Sequence, residues 1–249
     1  MSIESYQALQ QLMSKIDVPA EAVRIPGGTI YPSEVIETDE DGKVLVHGMI
    51  STDENLFSSV EAYTSGSGII ELLKRRVEGC HQPERLYEPD VVFLVAAIRA
   101  MTFTSIYEVE GVCEHCQKGF VATVDSNNLP VKTYEEDELI NEMTLSNGQI
   151  VKWTYLPFSE LMKLAKIDDP DVGYISRIMS VDGIEDRHAI SEWFKRLPLK
   201  LKKELTPNFR KKLGGFEADA APVECPHCGQ TTHVEVDLLA GFFTKLLQG

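Results

Sequence analysis

The chain has 249 residues, enough to bury a sizeable core as one large domain or two modest ones. It is 43% hydrophobic and 25% charged, a globular composition that argues against disorder. Its formal net charge of −15 repels nucleic acid and anionic lipid at long range, so neither is an expected partner unless one face is locally basic.

Residues 4–16 place Tyr6, Leu9, Met13 and Ile16 at helical spacing, which predicts a short amphipathic helix. Met1 to Ile16 mixes polar and apolar residues without the basic start and apolar core of a signal peptide, so a protein made in a reducing cytoplasm is expected. Ile25-Pro26-Gly27-Gly28 breaks the chain as a turn; it lacks the Lys-Ser/Thr of a phosphate loop. Two β-prone runs follow, Ile30–Ile36 and Lys43–Met49, and Asp41-Gly42 between them predicts a hairpin. The acidic residues before that turn lack the spacing of a Ca²⁺ loop.

Ser51-Thr52-Asp53-Glu54 reads as a capping box opening a helix through Phe57 and Val60. The link Thr64-Ser65-Gly66-Ser67-Gly68 then leads into a helix over Ile69–Val77. Pro89-Asp90 opens the run Val91–Ile98, which is apolar all round and therefore predicts the central buried helix, and the wider, most apolar run extends from Val91 to Met101. With Arg99 in it, the run is too short to span a bilayer, so no membrane role is expected. Arg99 sits favourably at the helix C-terminal end and could hold a carboxylate. Cys80 is expected to be a small core or surface residue.

The helix leads into Ile106–Glu110, a β-prone run, and then into Cys113-Glu114-His115-Cys116. A second copy, Cys225-Pro226-His227-Cys228, follows Pro222-Val223-Glu224 far along the chain. The copies also share what comes after, Ala122-Thr123-Val124-Asp125 in one and Val234-Glu235-Val236-Asp237 in the other, at the same offset from the first cysteine. Two C-x-x-C knuckles, each the turn of a hairpin, supply the four thiolates of a closed tetrahedral Zn²⁺ site, Cys113, Cys116, Cys225 and Cys228, and predict a zinc ribbon. A thioredoxin-like pair would sit at a helix N-terminus, and structural disulfides would need an oxidising compartment. His115 and His227 lie inside the knuckles and are expected to turn outward rather than bind the metal.

Residues 117–224 between the knuckles are too many for a loop and predict an inserted, mostly helical subdomain over 131–215, carried by a discontinuous core of 1–130 plus 216–249. The insert starts near the acidic Glu135–Glu138, a solvated turn. A hairpin about Asn147-Gly148 follows, and helices are expected over Ser159–Lys166, Val172–Val181, Ala189–Arg196 and Leu199–Leu213, with breaks at Pro198 and Pro207. Residues 195–212 hold Lys195, Arg196, Lys200, Lys202, Lys203, Arg210, Lys211 and Lys212 against Glu204 alone. They are either a solvated helix face or a docking surface for an acidic partner or another copy of the chain. Leu238, Leu239, Phe242 and Phe243 near the C-terminus should pack back on the ribbon or be buried by a partner.

The chain holds no G-x-S-x-G, no H-E-x-x-H and no dinucleotide fingerprint, and no H-x-E precedes Cys225-Pro226-His227-Cys228 as a deaminase would need. Four thiolates would also leave zinc no open position for water, so no enzyme is expected. The order of Ile25-Pro26-Gly27-Gly28 with Tyr31-Pro32, Met49 with Asp53-Glu54, Leu94–Arg99, Tyr107, Cys113-x-x-Cys116 and the closing C-P-x-C-G with Phe242-Phe243 resembles the T4-type bacteriophage baseplate family, over residues 25–125 and 222–243. The family's namesake is a baseplate hub subunit or hub assembly protein. One departure is Thr104, where the pattern has glycine before the tyrosine. The resemblance implies a non-enzymatic structural or assembly component of a contractile tail, found in the virion baseplate and, during assembly, in the host cytoplasm. It would bind other tail proteins or itself. The expectation is thus an α+β protein with a zinc ribbon, a helical core and a helical insert. The alternative is a zinc-ribbon adapter that binds nucleic acid or a polymerase through residues 195–212.

Overall fold

The computed structural model describes residues 18–59, 65–217 and 220–242, together with Leu12 and Ala62. The helix expected over 4–16, the end of the helix expected through Val60, and Phe243 lie outside the described residues.

Strand β1 (Ala20–Arg24) pairs antiparallel with β2 (Lys43–His47). The expected partner of β2, Ile30–Ile36, is not a strand. Pro32 offers no N–H, and its carbonyl instead accepts the amides of Val35 and Ile36, closing a turn. Asp41-Gly42 does turn the chain: Gly42 has φ +74°, and its amide returns to the Asp39 carbonyl at 3.0 Å. The turn therefore leads into β2 from an irregular loop.

Residues Ser51–Phe57 form a 3-10 turn in which the Asp53 carboxylate, not a serine, accepts the Ile50 amide at 2.9 Å. Buried Asp53 also meets Arg76 at 2.6 Å, tying this turn to helix α1 (Ser67–Arg76). Helix α2 (Glu88–Thr102) is the expected central helix, and Val91, Leu94, Val95 and Ile98 on it are fully buried. They pack with Ile25, Val46, Leu72, Leu73 and Leu86 in the first hydrophobic cluster, which also holds Cys80. Burial lifts the Cys80 thiol to about 12, as expected of an inert core thiol.

Among the described residues, Arg99 holds no carboxylate. Its guanidinium donates to the carbonyls of Thr104 and Ile106 and lies 3.7 Å from the centre of the Tyr107 ring. This fastens the C-terminal end of α2 to β3 (Ile106–Val112), which pairs with β4 (Gly119–Asp125). A short neck follows: β5 (Val131–Lys132) pairs with β9 (Gly215–Phe216), so the chain leaves and re-enters at one place.

The stretch between the neck strands has a three-stranded antiparallel sheet, β6 (Ile140–Thr144), β7 (Ile150–Thr154) and β8 (Ile178–Val181). The hairpin about Asn147-Gly148 is present, with Gly148 at φ +88°. Helices are α3 (Phe158–Leu164), α4 (Pro170–Arg177), α5 (Arg187–Lys195) and α6 (Leu199–Leu205). The helix expected over Val172–Val181 ends at Arg177, because Val181 and Ser180 pair with Val151 and Lys152 of β7 instead. Among the described residues, a second cluster, including Trp153, Phe194, Leu205 and Phe209, draws only on residues 143–209. Phe158 and Met162 of α3 are exceptions and pack into the first cluster.

Strands β10 (Ala220–Glu224) and β11 (Thr231–Glu235) form the last hairpin. Leu238 and Phe242 then turn inward: Phe242 is fully buried, edge-on to Phe57 at 5.8 Å between ring centres. The tail thus reaches past the hairpins into the first cluster. Among the described residues, no helix is long and apolar enough to cross a membrane.

Candidate functional site

Cys113 ends the β3 side of one hairpin and Cys225 the β10 side of the other; both are buried. Cys116 is half-buried and Cys228 exposed. The two turns are built alike. The amides of Gln117 and Gly229 return to the carbonyls of Cys113 and Cys225, both at 2.9 Å, and those of Cys113 and Cys225 donate to Lys118 and Gln230 at 3.0 and 2.9 Å. Gln117 and Gly229 both take positive φ, +58° and +69°. That conformation suits glycine, and the first turn carries it with a larger residue. Each turn aims a histidine amide at a sulfur, His115 at Cys113 and His227 at Cys225, both at 3.4 Å.

The turns bring all four Sγ atoms within 4.8 Å of one another. Cys113 to Cys228 and Cys116 to Cys225 are both 3.7 Å. Thiolates at about 2.3 Å from a tetrahedral Zn²⁺ have edges of about 3.8 Å, so this donor set has the size of such a centre. All five cysteines are free thiols. Amides of Cys116 and His115, together with the neighbouring sulfurs, draw the Cys113 thiol down to about 6 against the opposing cost of burial. Cys228 goes the other way: the Gln230 amide favours its thiolate, but burial and three adjacent sulfurs outweigh it and lift that thiol to about 12. One easily ionised and one reluctant thiol are what crowded, coupled sulfurs produce, and a bound cation is what stabilises all four thiolates together.

His115 and His227 are exposed and do not contribute to the cluster, as expected; their rings bond across to the opposite hairpin. Between the hairpins lies a small apolar cluster of Phe120, Val124, Ala221 and Val234 with Cys113 and Cys225. Gly111 is required there, since a side chain would meet Val234 at 2.6 Å.

The basic run divides into two kinds of residue. Lys195 and Arg196 pair with Glu192 at 3.4 and 3.0 Å, and Lys202 pairs with Asp171 at 2.6 Å. Lys212 reaches the Phe216 carbonyl at 3.4 Å. Lys200, Lys203 and Lys211 are exposed and make no ion pair among the described residues, and Arg210 bonds only the Tyr174 hydroxyl, at 3.0 Å. Arg210 and Lys211 line a cleft of about 1300 Å³, joined by Arg177, Tyr87, Tyr155 and Tyr174. Glu88, Glu235 and Asp237 supply its acidic lining. Burial lowers the basicity of Arg177, which nearby Glu88 partly restores. Sequence reasoning missed Arg177; only its place at the end of α4, beside β8, brings it to the cleft.

A buried carboxylate was also missed as a centre of contacts. Asp90 accepts the Gly27 amide at 2.7 Å and the hydroxyls of Tyr31 and Tyr134. The Tyr31 hydroxyl also accepts the Tyr87 amide at 3.0 Å. A side chain at Gly27 would meet the Tyr134 hydroxyl at 2.8 Å, which is why the turn needs glycine there.

The family described as T4 bacteriophage base plate protein matches residues 35–244. The match takes in both knuckles and all of the stretch between them. Neither a curated protein nor a solved structure matches the chain.

Proposed function

The chain belongs to the T4 bacteriophage base plate protein family, and from that premise we propose that it is a non-enzymatic component or assembly factor of the baseplate hub in a contractile tail. Family membership makes it a structural tail component of the virion. The match over residues 35–244 is the observation that carries the reading. Placement at the hub, and presence in the host cytoplasm during assembly, are the finer parts of the proposal.

The four cysteines hold one structural Zn²⁺, making the paired hairpins a zinc ribbon. An all-thiolate set of this size fits zinc and offers no open position for a substrate or water. When bound, the ion supplies a cross-link between two hairpins far apart in sequence. The chain's own residues do the rest: the amides of His115 and His227 point at the Cys113 and Cys225 sulfurs, and Arg99 fixes the first hairpin to the core helix.

Residues 131–215 act as an inserted subdomain on a core of 1–130 plus 216–249; the neck of β5 and β9 and the separate cluster over 143–209 support this reading. Its cations, with Lys200, Lys203, Arg210 and Lys211 foremost and Arg177 added, face acidic surfaces of other tail proteins or of another copy. The ion pairs of Lys195, Arg196 and Lys202 leave those residues a smaller share of the contact. A partner reaching Phe242 would first have to open its packing against Phe57.

The test is tail assembly in host cells lacking the protein. Loss of contractile tails at the hub stage is expected, and normal infective tails would overturn the hub reading. Elemental analysis of the purified protein should give one equivalent of zinc, and less than half an equivalent would overturn the metal assignment.

A further inference from the structure

We propose that His115 and His227 are reciprocal latches that hold the two knuckles in register for the metal, with the second knuckle depending on its latch more than the first. The inference rests on the reading of the four cysteines as a metal centre.

Each histidine touches the centre twice. Its main-chain N–H points at a sulfur of its own knuckle, Cys113 for His115 and Cys225 for His227, both at 3.4 Å. Its ring crosses to the other hairpin. His115 Nε2 donates to the Thr231 carbonyl at 3.0 Å, and His227 Nε2 donates to the Gly119 carbonyl at 3.1 Å. Gly119 and Thr231 hold equivalent places, each opening the returning strand of its hairpin. The two bonds are therefore the same bond made twice, related by the pseudo-two-fold of the paired hairpins. Chance surface contacts of two exposed rings would not repeat with that symmetry. A carbonyl only accepts, so the ring nitrogen carries hydrogen in the neutral Nε2–H tautomer and in the imidazolium alike.

The symmetry fails at two further contacts, the looser being the Glu114 carboxylate 3.9 Å from His233 Nδ1 on the opposite hairpin. The Glu114 amide donates to the Thr232 hydroxyl at 3.1 Å, and Thr232 is fully buried. The equivalent of Glu114 in the second knuckle is Pro226, which has no N–H, and the equivalent of Thr232 is Phe120. The first knuckle is thus tied to the opposite hairpin by its ring and by its main chain, with the exposed Glu114–His233 contact a weak addition. The second is tied by its ring alone.

Groups that orient metal ligands without binding the metal change affinity by about 10–100-fold when removed. The experiment uses the full-length, zinc-loaded protein and follows metal transfer to an excess of chromophoric chelator. His227→Phe should release metal at least about 10-fold faster than the native chain, and His115→Phe less so. Thr232→Val added to His115→Phe should bring release up to the His227→Phe rate. His227→Gln, whose amide can donate to the Gly119 carbonyl, should recover part of the loss. Release within twofold of native for His227→Phe, or a larger effect for His115→Phe, would overturn the proposal. The cobalt-substituted forms of both phenylalanine variants should keep the native thiolate-to-metal absorption; a changed band would make the histidines ligands and also overturn it. If His227→Phe does not fold, His227→Gln and His227→Glu give the same comparison, and equal release from these two would count against the latch. Failure of the native chain to bind metal would instead sink the metal centre itself, independently of the histidines.

Discussion

The paired hairpins and the stretch over 143–209 are stabilised by different means. The cluster between the hairpins has four buried apolar side chains besides two cysteines, Phe120, Val124, Ala221 and Val234, with Val109, Ala122, Leu129, Val223 and Val236 partly buried against them and Phe120 its one aromatic ring. The cluster over 143–209 interlocks Trp153, Tyr155, Tyr174, Phe194 and Phe209, with Trp153 edge-on to Phe209 at 5.4 Å and Tyr174 stacked on Phe209 at 5.6 Å. Aromatic contacts of that kind add to large burial, whereas two-stranded hairpins alone are marginal in water. On the proposed metal assignment, the small apolar region leans on the ion and the rich one does without.

Removing the proposed metal should break that contrast open most widely. Structural zinc contributes on the order of 10–16 kcal/mol in small peptides, so Cys113→Ser or chelation should unfold both hairpins. Both tryptophans, Trp153 and Trp193, lie in or against the 143–209 cluster. Their fluorescence should stay native after chelation, while amide exchange over 106–125 and 220–235 becomes fast. Loss of the tryptophan signal together with the metal would show one cooperative unit in place of two.

The reverse test is Trp153→Ala. A buried tryptophan lost from such packing costs about 3–5 kcal/mol. Thermal unfolding should show that loss with zinc content unchanged.

Asp90 at the start of α2, which Tyr134 reaches from just beyond neck strand β5, offers a smaller effect. Asp90→Ala leaves the Gly27 amide and two tyrosine hydroxyls without their acceptor, at about 1–3 kcal/mol by calorimetry, and Tyr134→Phe should cost less. Burial pushes the Asp90 carboxyl up, and bonds from Tyr134, Tyr31 and Gly27 only partly offset it. The folded state therefore holds that proton more tightly than the unfolded chain. Its stabilising contribution is full below the ordinary value of 3.8 and falls as pH rises through the raised one. Asp90→Asn should flatten that part of the stability profile.

The smallest change in stability belongs to the surface. Replacing Lys200, Lys203 and Lys211 with glutamate should leave the melting temperature nearly unchanged, since exposed charges contribute little. Association with an acidic tail protein should weaken, most visibly at low salt. Binding unchanged in a sedimentation or pull-down titration would remove these lysines from the contact.

Much of the candidate centre is legible in the chain because its parts are local. C-x-H-C followed by the same strand pattern repeats, and each copy makes its own turn with its own backbone bonds. Helix α2 is legible for the same reason: an unbroken apolar run after Pro89 can only be buried. Strand pairing is read less well, since pairing depends on what else competes for an edge. Residues 178–181 suit a helix by spacing, yet β7 offers an edge and Arg187 takes the carbonyls of Ser176 and Ile178, so the helix stops.

The sequence by itself determined four thiolates in two matched turns, a buried central helix and a long stretch between the knuckles, because these follow from spacing and composition within a few residues. The tertiary structure alone decided that β2 pairs with β1, that Asp90 gathers Gly27, Tyr31 and Tyr134, that Arg177 meets Arg210 in one cleft, and that each knuckle histidine reaches the other hairpin. Those contacts join residues tens of positions apart, and no local pattern encodes them. They are set by which surfaces remain when the apolar clusters have closed and by which buried donors still need an acceptor.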